Sequence, residues 1–470
     1  MTRSAAQAPS AARRRIVVIG GGNAALCAAM AANDAGASVT VLERAARPFR
    51  GGNTRHTRNL RTVHRAADGY VTGPYPYDEF LADLASVTGS DADPALAALT
   101  VSESEHIAAW MEEHGAHWQA PLKGTLGLAR TNRFFLGGGK SLLNAYYQTA
   151  QDAGIEIHYE AFVTSLDIQG NQCRGVRVRF GGGNEERYVP ADAVVVAAGG
   201  FEANLGWLAE SWGPAAHNFV VRGTANNDGS MLRELLDAGA RRVGDPGAAH
   251  AIAVDARAPT FDAGIITRID AIPIGIAVNC HGKRFYDEGE DMWPKRYATW
   301  GRLIALQPDQ RAFAIFDSKV AGETIPGLYP PFRADTIELL ADQLGLNAAD
   351  LASTVAEFNA SCRVGRFDLS GLDECRTEGL PVPKSHWARP IDVPPFFGYP
   401  LRTGITFTYM GVAVDADARV QRNGEGPFEN VFAAGEIMSG NVLTRGYLAG
   451  FGMTIGTVWG RIAGRSAARA

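Results

Sequence analysis

The sequence predicts an α/β fold in which one nucleotide-binding domain is interrupted by an α+β cap and completed at the C-terminus. Three stretches predict it. "RRRIVVIGGGNAALCAAMAANDAGASVTVLERA" (13–45) holds a β-branched run, a glycine turn, an Ala-rich run and a second β-branched run. That order is the mark of a βαβ unit. "ADAVVVAAGGF" (191–201) is a short apolar run ending in glycines, as suits a buried parallel strand. "GPFENVFAAGEIMSGN" (426–441) repeats the pattern near the far end of the chain.

The elements follow in order. Ile16–Ile19 reads as a strand and Gly20–Gly22 as a tight turn. A helix is expected from about Asn23 to Ala35, stopped by Gly36. Ser38–Leu42 reads as the second strand, ending at Glu43. Residues 76–118 carry apolar positions at helical spacing, among them Phe80, Leu81, Leu84, Ile107 and Trp110. "FFLGGGKSLLNAYYQTAQDAG" (134–154) is a glycine-rich loop running into a helix. "IEIHYEAFVTSLDI" and "CRGVRVRF" alternate like antiparallel strands, with "GGGNEE" as the following turn. From about 225 to 395, Pro, Trp and mixed polar residues become frequent, which marks a second domain. "YLAGFGMTIGTVWGRIAGRSAA" closes the chain as a helix. The expected boundaries are a disordered lead-in at 1–14, the nucleotide domain at 15–245 and 396–470, and the substrate cap at 246–395.

Bulk properties narrow the function. A chain of 470 residues is long enough for two or three units. A net charge of −5 argues against a general electrostatic partner such as nucleic acid. The cysteines Cys27, Cys173, Cys280, Cys362 and Cys375 contain no C-x-x-C, so free thiols are expected, with no metal site. The lead-in lacks an apolar signal core and no run of 18 apolar residues occurs, so a cytoplasmic location without a transmembrane segment is expected.

Gly20-x-Gly22-x-x-Ala25 carries the first chemistry. Gly20 permits the turn, Gly22 lets backbone approach a pyrophosphate, and Ala25 allows close packing of helix on strand. Glu43 follows Gly20 by about 23 residues, the spacing of an acidic residue that grips ribose hydroxyls. The motif stands once, near the start of a long chain. That favours FAD over NAD. "VVVAAGGF" and "VFAAGEIMSGN" resemble segments of flavoproteins of the two-dinucleotide-binding-domain type, which implies a Rossmann-like FAD-binding domain of that type. Just downstream, "RGGNTRHTRNLRTVHRA" (50–66) holds a cluster of Arg and His with no acidic residue. A local basic excess in an acidic protein suggests a site.

"VVIGGGNAAL", "RGGNTRHT", "VVVAAGGF", "RGTANNDGSML", "NCHGKRFYDEG" and "FAAGEIMSGN" with "TRGYLAG" together resemble the flavoprotein subunits of fumarate reductase and succinate dehydrogenase. That family includes soluble relatives and ketosteroid dehydrogenases, and the resemblance runs from about Arg15 to Gly464. Within it, "RGGNTRHTRNL", "RTNRFFLGGGKSLLNAYY", "HAIAVDARAP" and "RFYDEGEDMWPKRYATWGRL" are most similar to the tricarballylate dehydrogenases. The resemblance implies FAD held by Gly20, Gly22, Ala25, Glu43, Arg44 and Val163. Gly52, Asn53 and Thr54 would lie near the flavin ring, and Ala198 and Gly199 along the dinucleotide. Glu436 would bind a ribitol or ribose hydroxyl, and the helix starting near Gly450 would point its positive end at the flavin. Membrane-bound relatives attach FAD to a histidine in this segment. Asn53 stands in its place here, so non-covalent FAD is expected.

The resemblance also implies hydride transfer between flavin and one carbon of a C–C bond, with a proton moving at the neighbouring carbon. Arg296 is the implied proton carrier, with Lys295 one residue away as its competitor and Glu288, Glu290 and Asp291 as possible relay carboxylates. His250 and Arg445 match substrate-binding positions. Phe407 stands where fumarate reductases carry a histidine, which leaves Thr406, Thr408 and Tyr409 to supply different hydrogen bonds, and Tyr409 a proton. His56 and Arg58 are expected to add cationic docks, with Arg55, Arg130 and Arg133 nearby in the basic cluster. The function implied is oxidation of a small polycarboxylate, tricarballylate to cis-aconitate, with a separate electron acceptor such as a membrane redox protein or quinone. Two alternatives stand beside it: a ketosteroid-dehydrogenase-like enzyme for a neutral or secondary-metabolite substrate, and a non-catalytic flavin-binding redox protein.

Overall fold

The computed structural model describes residues 13–122, 127–324 and 326–470. The expected lead-in lies outside the described residues except for its last two. Strand β1 (Arg15–Ile19), helix α1 (Asn23–Asp34) and strand β2 (Ser38–Leu42) form the predicted βαβ unit. The central sheet is parallel and five-stranded, in the order Val431–Ala433, Ala193–Val196, β1, β2, Glu156–His158. β1 and the strand Ala193–Val196 are each flanked on both sides, so Val17, Val18 and Val194–Val196 are all buried. Each such side chain stabilises the core by about 1.5–3 kcal/mol. Residues from both ends of the chain thus pair in one sheet, which closes the domain around its insertion.

Helix α1 is apolar and small-sided because it is clamped on two faces. It lies on the sheet and against the C-terminal helix Phe451–Arg469. Gly456, Gly460 and Gly464 recur at one-turn intervals along the contact. A Cβ at Gly460 would lie 2.5 Å from the Ala24 carbonyl, and one at Gly464 2.2 Å from that of Ala28. Only glycine lets the two helices approach this closely.

The expected helical region at 76–118 resolves into Tyr77–Thr88 and Pro94–Glu113, and the glycine-rich loop feeds the helix Gly138–Asp152. The alternating segments form a three-stranded antiparallel sheet, Ala161–Gln169, Gln172–Phe180 and Glu186–Pro190. The five cysteines are free.

A second, six-stranded sheet is organised around one long strand, Phe396–Thr408. It pairs antiparallel with Ala249–Asp255, Ala312–Asp317 and Phe332–Ala334, and parallel with Val220–Val221. This changes the expected boundaries. Val220–Val221 and Phe396–Thr408 lie outside 246–395, yet they are strands of the cap sheet. Hydrogen bonding between distant segments decides sheet membership, and composition does not report it. Behind the sheet, Ile276, Phe313, Ile315, Leu340, Leu344 and Phe358 form a separate apolar cluster with the helices Ile337–Leu344 and Ala348–Ser361.

The long strand carries a bulge at its C-terminal end. His250 faces Phe407 and Ala251 faces Ile405, so Thr406 has no partner. A bulge of this kind turns side chains away from the regular alternation. Thr406, Phe407 and His250 all line the central cleft as a result.

Candidate active site

One cleft, with about 1600 Å³ of open space, runs between the two sheets. Part of its wall is the glycine turn after β1. Gly20 has φ 114°, and a Cβ there would lie 2.3 Å from the Ala197 carbonyl. Within the turn the most crowded glycine is Gly21, where a Cβ would meet Glu43 and the Tyr147 hydroxyl at 2.1 and 2.2 Å. Ala25 is fully buried in the helix behind the turn. Glu43 lines the cleft and accepts from the Ala45 N–H at 2.7 Å. Burial raises its pKa. Arg44 lines the cleft and pairs with Asp228 at 2.7 Å. Gly52, Val163, Ala198 and Gly199 are also in the wall.

Thr54 Oγ1 accepts from the Asn23 N–H at 2.9 Å, which caps the start of α1 from another loop. Asn53 is held at three points. Its Nδ2 donates to Glu202 at 2.5 Å and to the Thr406 carbonyl at 2.7 Å, and its Oδ1 accepts from the Thr224 N–H at 2.9 Å. Glu436 lines the cleft and accepts from the N–H and hydroxyl of Thr408 at 2.7 and 3.1 Å. Burial and the neighbouring Glu202 push its pKa well up. Gly450, at φ 82°, precedes the first turn of the C-terminal helix, and Gly450, Gly452 and Met453 face the cleft.

These residues fit FAD. The glycine cradle, the N-terminus of α1, the acidic residue ending β2 and a second helix N-terminus all meet in one cleft. Each is a recognised device for a dinucleotide or an anionic ring.

The remaining wall is basic. His56 lines it, with Nε2 2.9 Å from Asp262, and Arg58 lies beside it. Nε and Nη2 of Arg58 are buried with no hydrogen-bond partner among the described residues. Arg222 and Arg268 share this wall. Arg222 donates to Thr406 Oγ1 at 2.8 Å, and Arg268 pairs with Asp270 at 2.6 Å. Burial, then Arg268, pulls Arg58 down to about 9 and Arg222 down to about 10, so both remain cationic at neutral pH. His250 is 6% exposed and stacks on Tyr447 at 3.9 Å. Burial, with Arg222 and Arg268 nearby, drives its pKa well below the usual value, so it is neutral.

Tyr297 completes the wall. Its hydroxyl makes no hydrogen bond among the described residues. The Arg268 guanidinium lies 4.9 Å over its ring, and the His250 ring meets its edge at 5.4 Å. Burial raises the phenol to about 12, against the opposite pull of Arg268 and Arg222. The Tyr447 hydroxyl instead accepts from the Gly452 N–H at 2.7 Å.

Several expected site residues lie elsewhere. Arg296 is outside the cleft wall and sits near Glu290 and Asp291 at 3.5 and 3.9 Å. Lys295 pairs with Asp83 at 2.7 Å, tying the cap to the helix Tyr77–Thr88. Glu288 is buried in a pair with Arg284 and accepts from the Ala277 N–H, so it relays nothing to Arg296. The short helix here turns about 100° per residue, and it is Tyr297 that faces the cleft. Arg445 is exposed and packs against Gly89, away from the wall. Tyr409 is buried behind it, with its hydroxyl donating to the Gly446 carbonyl. Thr408 holds Glu436 and does not face the cleft. Arg130 and Arg133 are paired with Glu79 and Asp68. The reading from sequence missed Arg222, Arg268, Tyr297 and Tyr447. Arg222 does fall in the quoted "RGTANNDGSML", but nothing local marks Arg268.

A family described as FAD binding domain matches residues 15–452. A probable fumarate reductase of Shewanella frigidimarina is 26% identical over 459 residues, covering 94% of this chain and 72% of its own length. A 4-oxocyclohex-2-ene-1-carboxylate 5-dehydrogenase of Sinomonas cyclohexanicum is 28% identical over 363 residues, covering 70% and 60%. Among solved structures, the open conformation of a flavocytochrome c3 fumarate reductase superposes with a TM-score of 0.74 at 23% identity, over 98% of this chain and 79% of that one. A 3-ketosteroid-Δ4-(5α)-dehydrogenase from Rhodococcus jostii superposes at 0.73 and 23%, over 100% and 99%. At these identities the superpositions show the fold.

Proposed function

The chain belongs to the FAD binding domain family and its cofactor is FAD, and on that premise we propose an oxidoreductase that acts on a CH–CH bond of a small polycarboxylate. Tricarballylate, oxidised to cis-aconitate, is the substrate proposed. The observation that carries the reading is Arg58: a guanidinium with buried, unpartnered nitrogens in the same cleft as the dinucleotide cradle. Such a group calls for an anion beside the cofactor. The relatives named as fumarate reductase and oxocyclohexene-carboxylate dehydrogenase support a C–C bond as the reacting group and a carboxylate on the substrate.

When bound, FAD supplies the hydride acceptor. The chain's own residues do the rest. The carbon next to a carboxylate is only weakly acidic, so cations must hold that carboxylate as charge builds. Arg58, Arg222 and Arg268 are placed for this. Tyr297 Oη is the proton carrier we assign: as the phenolate, its own proton first given up to solvent, it takes the proton in oxidation, and as the phenol it returns one in reduction, while Arg296 lies outside the cleft wall. Guanidinium groups beside the phenol favour its ionised form while the proton moves. Electrons would leave to a separate acceptor. No helix of the described residues is long and apolar enough to cross a membrane.

The test is anaerobic flavin bleaching by a substrate panel. Tricarballylate should bleach the bound flavin. Bleaching by a ketosteroid and not by any polycarboxylate would overturn the reading.

A further inference from the structure

The basic wall can be read as a count of charge. Three guanidinium groups, Arg58, Arg222 and Arg268, line it. Only Arg268 has a carboxylate partner among the described residues, Asp270 at 2.6 Å. Asp270 is itself fixed, since its other oxygen accepts from Trp293 Nε1 at 2.7 Å. Arg222 is 3% exposed, and its hydrogen bonds go to the Thr406 hydroxyl and the Gly264 carbonyl, neither of them charged. The nearby Asp262 is engaged by His56 and Arg55. His250 adds no charge, but its Nε2 is buried and unpartnered. So are Nε of Arg268 and Nε and Nη2 of Arg58. The wall therefore holds two cations more than anions, with donors left over.

We propose that Arg58, Arg222 and Arg268 form a cradle that admits only occupants bearing at least two negative charges, with Arg58 and Arg222, the two that lack a carboxylate partner, as its specificity-determining residues. This rests on the polycarboxylate reading above and goes further by fixing the charge. A neutral occupant would leave two buried cations without counter-charge, and a monoanion would leave one. Both arrangements are costly away from water. Sites built to bind a polar group reject analogues that lack it far more strongly than apolar pockets reject a missing methylene. Asp270 serves as a positioning residue: it orients Arg268 and cancels one charge, so that the surplus is two and not three.

The experiment titrates the FAD-loaded protein with four probes, tricarballylate, succinate, butyrate and succinamide, following the flavin absorbance change on binding. Tricarballylate and succinate should bind, butyrate at least about tenfold more weakly, and succinamide not measurably. R222M should weaken succinate by roughly 10–100-fold and shrink its advantage over butyrate. R268M leaves Asp270 buried alone and could fail to fold. The double variant R268M/D270N removes the pair together and leaves the surplus at two, so it should weaken succinate and butyrate alike by about tenfold through the lost Arg268 donors and keep the preference between them, with FAD content confirming folding. Equal affinity for succinate in wild type, R222M and R268M/D270N would overturn the cradle, as would wild-type binding of succinamide as tight as that of succinate. The reaction is judged separately. Polycarboxylates that bind in this order without bleaching the flavin would sink the proposed reaction and leave the cradle standing. Bleaching without the charge order would do the reverse.

Discussion

Thr406 receives Arg222 on its hydroxyl at 2.8 Å and Asn53 on its carbonyl at 2.7 Å. One residue, left unpaired by a strand bulge, thus joins the basic wall to the loop of Gly52, Asn53 and Thr54 that lines the same cleft. Thr406→Val keeps the shape and the carbonyl but removes the hydroxyl acceptor. The expected result is a rise in KM for polycarboxylate of roughly 10–100-fold with FAD content unchanged, since hydrogen bonds to charged groups contribute about 1.5–3 kcal/mol. An unaltered KM would show that Arg222 does not depend on this bond.

Tyr297→Phe isolates the proton. Flavin bleaching by substrate should slow by roughly 10²–10⁴-fold while the absorbance change on binding persists. Arg296→Ala is the comparison. If its bleaching collapses and that of Tyr297→Phe does not, the proton belongs to Arg296 after all.

His250 gives a stability signature independent of turnover. It faces Arg222, Arg268, Tyr297 and Tyr447, and its folded pKa lies well below the ordinary histidine value of 6.5. The unfolded chain therefore binds a proton that the folded one refuses. Stability is fully present above about pH 6.5 and falls as the pH drops below it, by up to about 1.4 kcal/mol per pH unit. His250→Gln should flatten that part of the acid limb in denaturant melts. An acid limb of unchanged slope would mean that His250 charges without cost.

Asn53 offers the flavin no nucleophilic ring nitrogen. Acid precipitation should release the whole FAD complement into the supernatant, where its absorbance is counted. Flavin retained by the pellet would reveal a covalent bond.

Gly460→Ala tests the helix contact under the cofactor. The new Cβ would press on the Ala24 carbonyl, which is backbone and cannot rotate away. A loss of about 1–3 kcal/mol in thermal or chemical melts is expected. Gly426→Ala, where nothing lies within 4 Å of the new atom, is the control and should change little.

The cofactor side was legible because its signals are local. Gly20, Gly22, Ala25 and Glu43 lie within one βαβ unit, and their spacing alone specifies the turn and the strand end. The basic wall was legible only at His56 and Arg58, because Arg222 and Arg268 come from distant segments that meet Arg58 only when the long strand pairs. Arg296 shows the sharper limit. A one-residue step on a helical turn separates Arg296 from Tyr297, and it is Tyr297 that lines the cleft. At Arg445, a matched motif stood in for a direction that the backbone does not give it.

The strand Phe396–Thr408 has an engineering consequence. Its first half is paired into the cap sheet and its last residues hold Glu436, so it is one continuous piece shared by the two halves of the protein. A cap exchanged at the compositional border near residue 395 would bring its own strands to a sheet whose central member stayed behind. Chimeras meant to carry a new substrate preference should therefore cut after Thr408 and move the whole strand with its cap.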